Sequence, residues 1–371
     1  MMQDSIRTVA LLGTGLIGGS LGLVLRERRS ELHVVAYDPS EGDTVVDHGA
    51  ADVAAGSVAE AVRDADLVVL GAPMGVLPGL LREIAPHLQP GAIVTDVGSV
   101  KTPLVAYAAE VLPAANPFVG GHPMAGAERG GLAHADPFLF ENATWVLCPP
   151  EGIAEDVLPE QFEALIDLVR VTGARVLLLD AERHDRIAAL VSHVPQLVAV
   201  LLMTLAAESN DDDDAFLRLA AGGFRDMTRI ASSPFELWRE ILLANEGPVL
   251  DALARLADAL QATRYDLASN DFDALAERFV HARTVRNTIP KDTKGFLAPL
   301  ADVYVYAEDR PGFLLRLVQT LYDAGLNIKD IELLKIREGT GGAFRFGFAT
   351  ASDADQAVVG LSEAGYSAYR L

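Results

Sequence analysis

Val9-Ala10-Leu11-Leu12-Gly13-Thr14-Gly15-Leu16-Ile17-Gly18-Gly19-Ser20 decides the fold of this chain. An apolar run enters G-x-G-x-x-G, and apolar residues at helical spacing follow it. A strand that turns sharply into a helix has this pattern. Gly13 permits the tight turn, Gly15 lets the backbone approach a pyrophosphate, and Gly18 lets the helix pack closely on the strand. The N-terminus of the helix adds unpaired N–H donors, with Leu16 and Ile17 in its first turn. A second apolar run, Leu32 to Tyr37, ends in Asp38, which lies 20 residues beyond Gly18. A carboxylate at that distance suits the hydroxyls of a ribose and repels a 2′-phosphate, so the pattern points to NAD rather than NADP. The other reading of Asp38 is a turn residue before Pro39. Ala72 and Pro73 follow the next strand-like run and complete the expected cofactor-binding set.

Working outward, strands and helices alternate through the first half. Expected strands are Arg7–Leu12, His33–Tyr37, Leu67–Gly71, Ala92–Asp96, Phe118–Gly121, Trp145–Cys148 and Arg175–Leu179, with helical runs such as Ser57–Arg63 and Val76–Ala85 between them. This predicts an α/β class, a doubly wound Rossmann-like domain over residues 1–179, with ligands at the carboxyl ends of its strands. From Asp180 to Arg286 the strand signals stop. Long helical patterns, Ile187–Glu208 and Pro248–Leu267, predict an all-α domain over 180–288 that buries apolar surface against a second subunit, giving a homodimer. Asp211–Asp214 reads as a solvated loop between helices. A linker rich in Pro, Lys and Gly is expected over 289–300. The last 71 residues, 301–371, read as a separate βαββαβ module.

Composition narrows the partners. The chain has 371 residues, enough for two or three domains, and a formal net charge of −22, which argues against nucleic acid and anionic membranes. Cations that bind anions must therefore be concentrated locally. The single cysteine, Cys148, excludes an internal disulfide and suits the cytoplasm. Thr8 to Leu25 and Ile187 to Ala207 are uncharged and long enough to span a bilayer, but glycines in the first and Ser192, His193, Pro195 and Gln196 in the second mark them as buried elements. Met1-Met2-Gln3-Asp4 lacks the basic region of a signal peptide.

Four sets of residues carry chemistry. His122 sits among glycines in Gly120-Gly121-His122-Pro123-Met124-Ala125-Gly126, at a predicted strand end, where an imidazole can take the proton of an alcohol that loses hydride. Ser99 follows the strand ending at Asp96 and reads equally as a bridge between that imidazole and a ligand or as a helix N-cap. In Gly222-Gly223-Phe224-Arg225-Asp226-Met227-Thr228-Arg229, a helix would set Arg225 and Arg229 on one face, suited to a carboxylate. Ser192-His193-Val194-Pro195-Gln196 would place His193 and Gln196 on one face of an apolar helix, where buried polar groups need partners.

Taken together, Gly13-x-Gly15-x-x-Gly18, Asp96-x-Gly98-Ser99-Val100-Lys101, Gly121-His122-Pro123-Met124-Ala125-Gly126, Ser192-His193-x-Pro195 and Gly223-Phe224-Arg225-Asp226-x-Thr228-Arg229 resemble, in kind and order, the prephenate and arogenate dehydrogenases. The resemblance covers residues 6 to about 286. The final module resembles an ACT domain through Asp309-Arg310-Pro311-Gly312 and Gly325-Leu326-Asn327-Ile328. The resemblance implies NAD-dependent oxidative decarboxylation of prephenate to 4-hydroxyphenylpyruvate without a metal. His122 would polarise the 4-hydroxyl, Ser99 orient it, and Arg229 pair with the ring carboxylate. His193, Ser233 and Trp238 would line the pocket, and Glu128 would close it. It also implies a tyrosine effector held near Asp309, Arg310, Pro311, Gly312, Asn327 and Ile328. Many members have histidine where this chain has Gln196, facing the substrate side chain. Arogenate therefore stays open as the substrate. A hydroxy-acid dehydrogenase or a non-catalytic amino-acid sensor would also account for the dinucleotide loop, but neither requires His122 and the arginine pair together.

Overall fold

The structure is a computed structural model that describes residues 6–126, 129–150, 162–212, 215–288, 300–308, 310–337 and 341–370. The chain divides into two compact units, Met1–Ala276 and Glu277–Leu371. Glu128 and Asp309, and residues 289–299 of the linker expected over 289–300, lie outside the described residues.

The first unit is built on an eight-stranded sheet: β1 (Thr8–Leu12), β2 (His33–Tyr37), β3 (Val53–Ala54), β4 (Leu67–Leu70), β5 (Ile93–Asp96), β6 (Phe118–Pro123), β7 (Thr144–Cys148) and β8 (Arg175–Leu178). The order is β3-β2-β1-β4-β5-β6-β7-β8. Among these strands only the β6–β7 pair is antiparallel, with His122 opposite Val146. The two-residue β3 has no apolar run of its own and is not foreseen by the sequence pattern. Both faces of the sheet are buried, as a parallel sheet requires. Val9, Leu11, Leu67 and Val69 pack into one core, and Ala10, Leu12, Val68 and Leu70 into the other. Two glycines set the strand-to-helix turn. Gly13 has φ +100°, and a Cβ on Gly18 would lie 2.0 Å from the Gly13 carbonyl oxygen. Any larger residue at Gly18 would push the helix Leu16–Arg28 off the sheet.

After β8 the same unit is helical. Helix Ala181–Ala188 continues through a single π turn, Ala189–His193, into helix Val194–Asp212. Asp211 and Asp212 are thus helical and not the loop expected from their charge. Helix Gly222–Thr228 ends in a 3-10 turn, Arg229–Ser232, so the predicted shared face of Arg225 and Arg229 is broken at its C-terminal end. Helices Phe235–Ala244 and Glu246–Ala268 follow.

The second unit holds β9 (Ala301–Ala307), helix Phe313–Asp323, β10 (Ile328–Arg337), β11 (Gly341–Phe348), helix Ala351–Glu363 and β12 (Ala368–Tyr369). The antiparallel sheet runs β10-β11-β9-β12, the expected βαββαβ order. Val303, Val305, Phe346 and Phe348 meet Leu317, Leu321 and Leu361 of the helices to form its core. A cavity of about 420 Å³ is lined by Arg310, Gly312, Phe313, Leu333 and Phe344, among others. Pro311, Asn327 and Ile328, expected at the same effector site, are not among its lining residues; Asn327 is exposed and Ile328 packs against the core.

Candidate active site

A cavity of about 830 Å³ opens at the carboxyl ends of the first unit's strands, within the size range of cofactor pockets. Gly13, Gly15, Leu16, Ile17, Asp38, Ala72, Pro73 and Ser99 line it, as does the Ala125-Gly126 turn that follows β6. Gly18 stands behind it, against Gly13. The residues fit a dinucleotide. Gly15 caps helix Leu16–Arg28 without a side chain, and a Cβ there would meet nothing within 4 Å, so the first-turn N–H groups face open space. Asp38 is half-buried and organises the loop: its carboxylate accepts from Thr14 N–H at 2.8 Å and from Ser40 N–H and hydroxyl at 2.9 and 2.6 Å. Burial would raise its pKa, but these donors outweigh it and hold the carboxyl below its ordinary value. Glu83, Glu236 and Glu240 also line the cavity, and among the described residues no Lys or Arg does. A second phosphate on the ribose would meet carboxylates there and no cation.

Ser99 does not cap a helix. The helix it precedes spans Thr102–Val111 with Lys101 as N-cap residue, and no side chain of its own caps it. The cap comes from far away in sequence. Asp185 accepts from the N–H of Lys101 at 2.8 Å and of Thr102 at 2.7 Å.

That carboxylate also anchors His122. His184 Nδ1 lies 2.8 Å from Asp185 Oδ1, and His184 Nε2 lies 2.8 Å from His122 Nδ1. Lys101, wholly buried, pairs with Asp96 and donates to the Gly121 carbonyl at 2.7 Å, fixing the backbone just before His122. Burial first, then Lys101, His184 and His193, push the His122 pKa well below its ordinary value. The ring is neutral at pH 7 and able to receive a proton.

His193, at the end of the π turn, is 1% exposed, and its Nδ1 lies 3.1 Å from Asn245 Nδ2. Its ring meets Trp238 edge to face at 6.0 Å, and Trp238 Nε1 is a buried donor with no partner among the described residues. Gln196 and Ser233 both donate to the Ile230 carbonyl, each at 2.9 Å. Helix Phe235–Ala244 joins the two regions, since Leu237 and Ile241 line the cavity while Trp238 contacts His193. The structure thus links His122 to His193 through His184, Asp185 and Asn245, sets Trp238 against His193, and joins Gln196 and Ser233 at Ile230, while none of His122, His193, Gln196, Ser233 and Trp238 is among the residues that line the cavity. Arg225 and Arg229 are exposed on the segment leading into that wall. His184, Asp185, Asn245 and Lys101 were missed. The one sequence signal for them is a His-Asp pair opening the helical half.

Burial lowers the His193 pKa to about 4, with Asp185 opposing and His184 reinforcing. The unfolded chain binds a proton there below about pH 6.5, and the folded chain only near pH 4. This contribution is complete above pH 6.5 and is lost as pH falls from 6.5 to 4, by roughly 3 kcal/mol at 1.4 kcal/mol per pH unit. Urea unfolding at pH 7.5, 6 and 5 should give falling midpoints, and His193→Gln should flatten the fall.

Comparison with known proteins identifies the family. Residues 21–178 match the model "Prephenate dehydrogenase, nucleotide-binding domain", and residues 180–281 match "Prephenate dehydrogenase, dimerization domain". The prephenate dehydrogenase of Bacillus subtilis (strain 168) is 33% identical over 359 residues, covering 96% of both chains. This chain belongs to the prephenate dehydrogenase family. The cyclohexadienyl dehydrogenase of Zymomonas mobilis is 32% identical over 76% of this chain and 96% of its own length. Prephenate dehydrogenase from A. aeolicus, solved with hydroxyphenyl propionate and NAD+, superposes with a TM-score of 0.70 at 29% identity, covering 77% of this chain and 99% of that one. Synechocystis arogenate dehydrogenase does so at 0.67 and 28%, covering 76% and 99%.

As in the family, the first half is an NAD-binding domain and the second a dimerisation domain. Helix Ala181–Ser209 is apolar and long enough to cross a membrane by length and composition, with 33% of its most apolar window buried. Its exposed Leu190, Val191, Leu201 and Leu205 suit the subunit interface of a prephenate dehydrogenase homodimer.

Proposed function

We propose that this chain oxidises prephenate with NAD+, releasing CO2 and 4-hydroxyphenylpyruvate in tyrosine biosynthesis in the cytoplasm. One observation carries the reading: the dinucleotide loop, Ser99 and the turn after His122 share a single cavity. NAD+ bound there supplies the hydride acceptor. Ser99 orients the 4-hydroxyl, and His122 takes its proton as the C4 hydride departs and the carbonyl forms. Loss of CO2 then sends an electron pair through the ring onto that oxygen, which recovers the proton from His122. The ring becomes aromatic, and no proton is gained or lost overall. Arg229 pairs with the ring carboxylate. His193, Gln196, Ser233 and Trp238 line the substrate side, Arg225 adds positive charge, and Glu128 closes the mouth.

We assign residues 1–179 to cofactor binding, 180–288 to substrate binding and dimerisation, 289–300 to a linker and 301–371 to an ACT regulatory module that binds tyrosine. Arogenate is a second reading, favoured by Gln196. Its Nε2 is held by Ile230 O, which leaves Oε1 as an acceptor for an ammonium. NADH formation with prephenate and with arogenate, each with and without tyrosine, tests these assignments. Turnover of neither substrate overturns the reaction, and a rate indifferent to tyrosine overturns the effector.

Two variants test particular residues. Arg229→Ala should raise KM for prephenate about 10- to 100-fold with a smaller change in kcat, as expected when a charged hydrogen bond is removed; an unchanged KM places the ring carboxylate elsewhere. Asp38→Ser should narrow the NAD-over-NADP ratio of kcat/KM by about tenfold or more, the effect of removing a charge facing a 2′-phosphate. An unaltered ratio assigns Asp38 to the turn alone.

A further inference from the structure

We infer that His184, Asp185 and Asn245 are positioning residues that hold His122 and His193 in opposite tautomers, one ring accepting and the other donating toward the substrate. The inference rests on the proposed reaction only for its catalytic consequence. The proton order follows from the hydrogen bonds.

The chain of bonds has one direction. Asp185 is an acceptor, so the proton between it and His184 sits on His184 Nδ1. Two backbone N–H groups on the same carboxylate, from Lys101 and Thr102, keep it ionised and in place. His184 Nε2 therefore carries a lone pair, and the 2.8 Å contact requires the proton on His122 Nδ1. His122 Nε2 is left as the basic nitrogen. A carboxylate on one imidazole nitrogen generally fixes the other in this way, and here the order passes through two rings.

Asn245 imposes the reverse order on His193. Its Nδ2 donates to the Asp185 carbonyl at 2.9 Å, which fixes the amide orientation. The same NH2 group faces His193 Nδ1 at 3.1 Å, so Nδ1 must accept. Neutral His193 then carries its proton on Nε2. One ring serves as a base and the other as a hydrogen-bond donor, although their free imidazoles are chemically identical. Asp185 sits in both chains, through its carboxylate for His122 and its carbonyl for His193.

The test is tautomer-resolved NMR of the full-length protein labelled with 15N-histidine. Its eight histidines are few enough to assign by single substitutions. The expected spectrum has the proton on Nδ1 of His122 and on Nε2 of His193; a proton on His122 Nε2, or on His193 Nδ1, overturns the inference. Kinetics of His184→Gln and His184→Leu give the second arm. Glutamine can still accept from His122 Nδ1 and should keep kcat within about tenfold, whereas leucine should lower kcat about 100-fold, at the low end of a general base's contribution, with KM little changed. Equal kcat in the two variants, each melting cooperatively and binding NAD+, overturns the role of His184. A wild-type protein with the expected tautomers that turns over neither prephenate nor arogenate supports the inference while removing the proposed reaction.

Discussion

Replacing His122 by Asn should lower kcat about 10³-fold, within the range for loss of a general base, while the affinity for NAD+ stays as it was. The two effects separate because the elements that hold the dinucleotide differ from those that hold the base. The cavity is lined by Gly13, Gly15, Asp38 and Ala72, whereas His122 is oriented from behind by His184 and from its own strand by Lys101 through Gly121. Asparagine retains a polar group near the substrate hydroxyl but has no basic nitrogen. Stopped-flow kinetics with prephenate and calorimetric titration with NAD+ measure the two quantities. A variant with full kcat removes His122 from the chemistry, and one that loses NAD+ binding shows a structural role instead. The residual rate should also lose the acid limb of its pH profile. In the parent that limb lies well below pH 6.5, because burial and Lys101 disfavour the imidazolium.

The largest expected effect on stability comes from Lys101→Met. The Lys101 ammonium is fully buried; it pairs with Asp96 and donates to the Gly121 carbonyl. Asp96 also accepts from the N–H of Gly98 at 2.8 Å and of Gly121 at 3.0 Å, so the carboxylate cannot turn to water. Methionine fills the volume but leaves a buried charge unpaired, at a cost of about 3–5 kcal/mol. At about 2–4 °C per kcal/mol for a domain of this size, the melting temperature should fall by roughly 10 °C. The double variant Lys101→Met, Asp96→Asn should recover part of the loss, because the stranded charge is gone. Scanning calorimetry of both variants settles the order. A single variant as stable as the parent would mean that Asp96 takes up a proton at little cost.

How much of this was legible in the sequence depends on the range of each signal. The β1 turn, Asp38 and the βαββαβ module are local patterns, in which periodicity and glycine placement dictate backbone form within a dozen residues. His122 was visible for the same reason, through its flanking glycines. The groups that orient it were not. Lys101 stands out only as the last residue of the motif that begins at Asp96, and His184 and Asp185 lie in the polar sequence Ala181–Ala188, outside every motif that the sequence offers. His184 reaches His122 across 62 residues, Asp185 reaches Lys101 across 84, and no local pattern encodes such a pairing. The break after Thr228 and the π turn before His193 escaped for a related reason. Both depend on tertiary packing that overrides helical spacing.

The Asp185 carboxylate caps a helix of the nucleotide-binding half and is itself carried by a helix of the other half. Parting the two halves like a jaw would therefore break that cap and pull Asp185 and His184 away from His122.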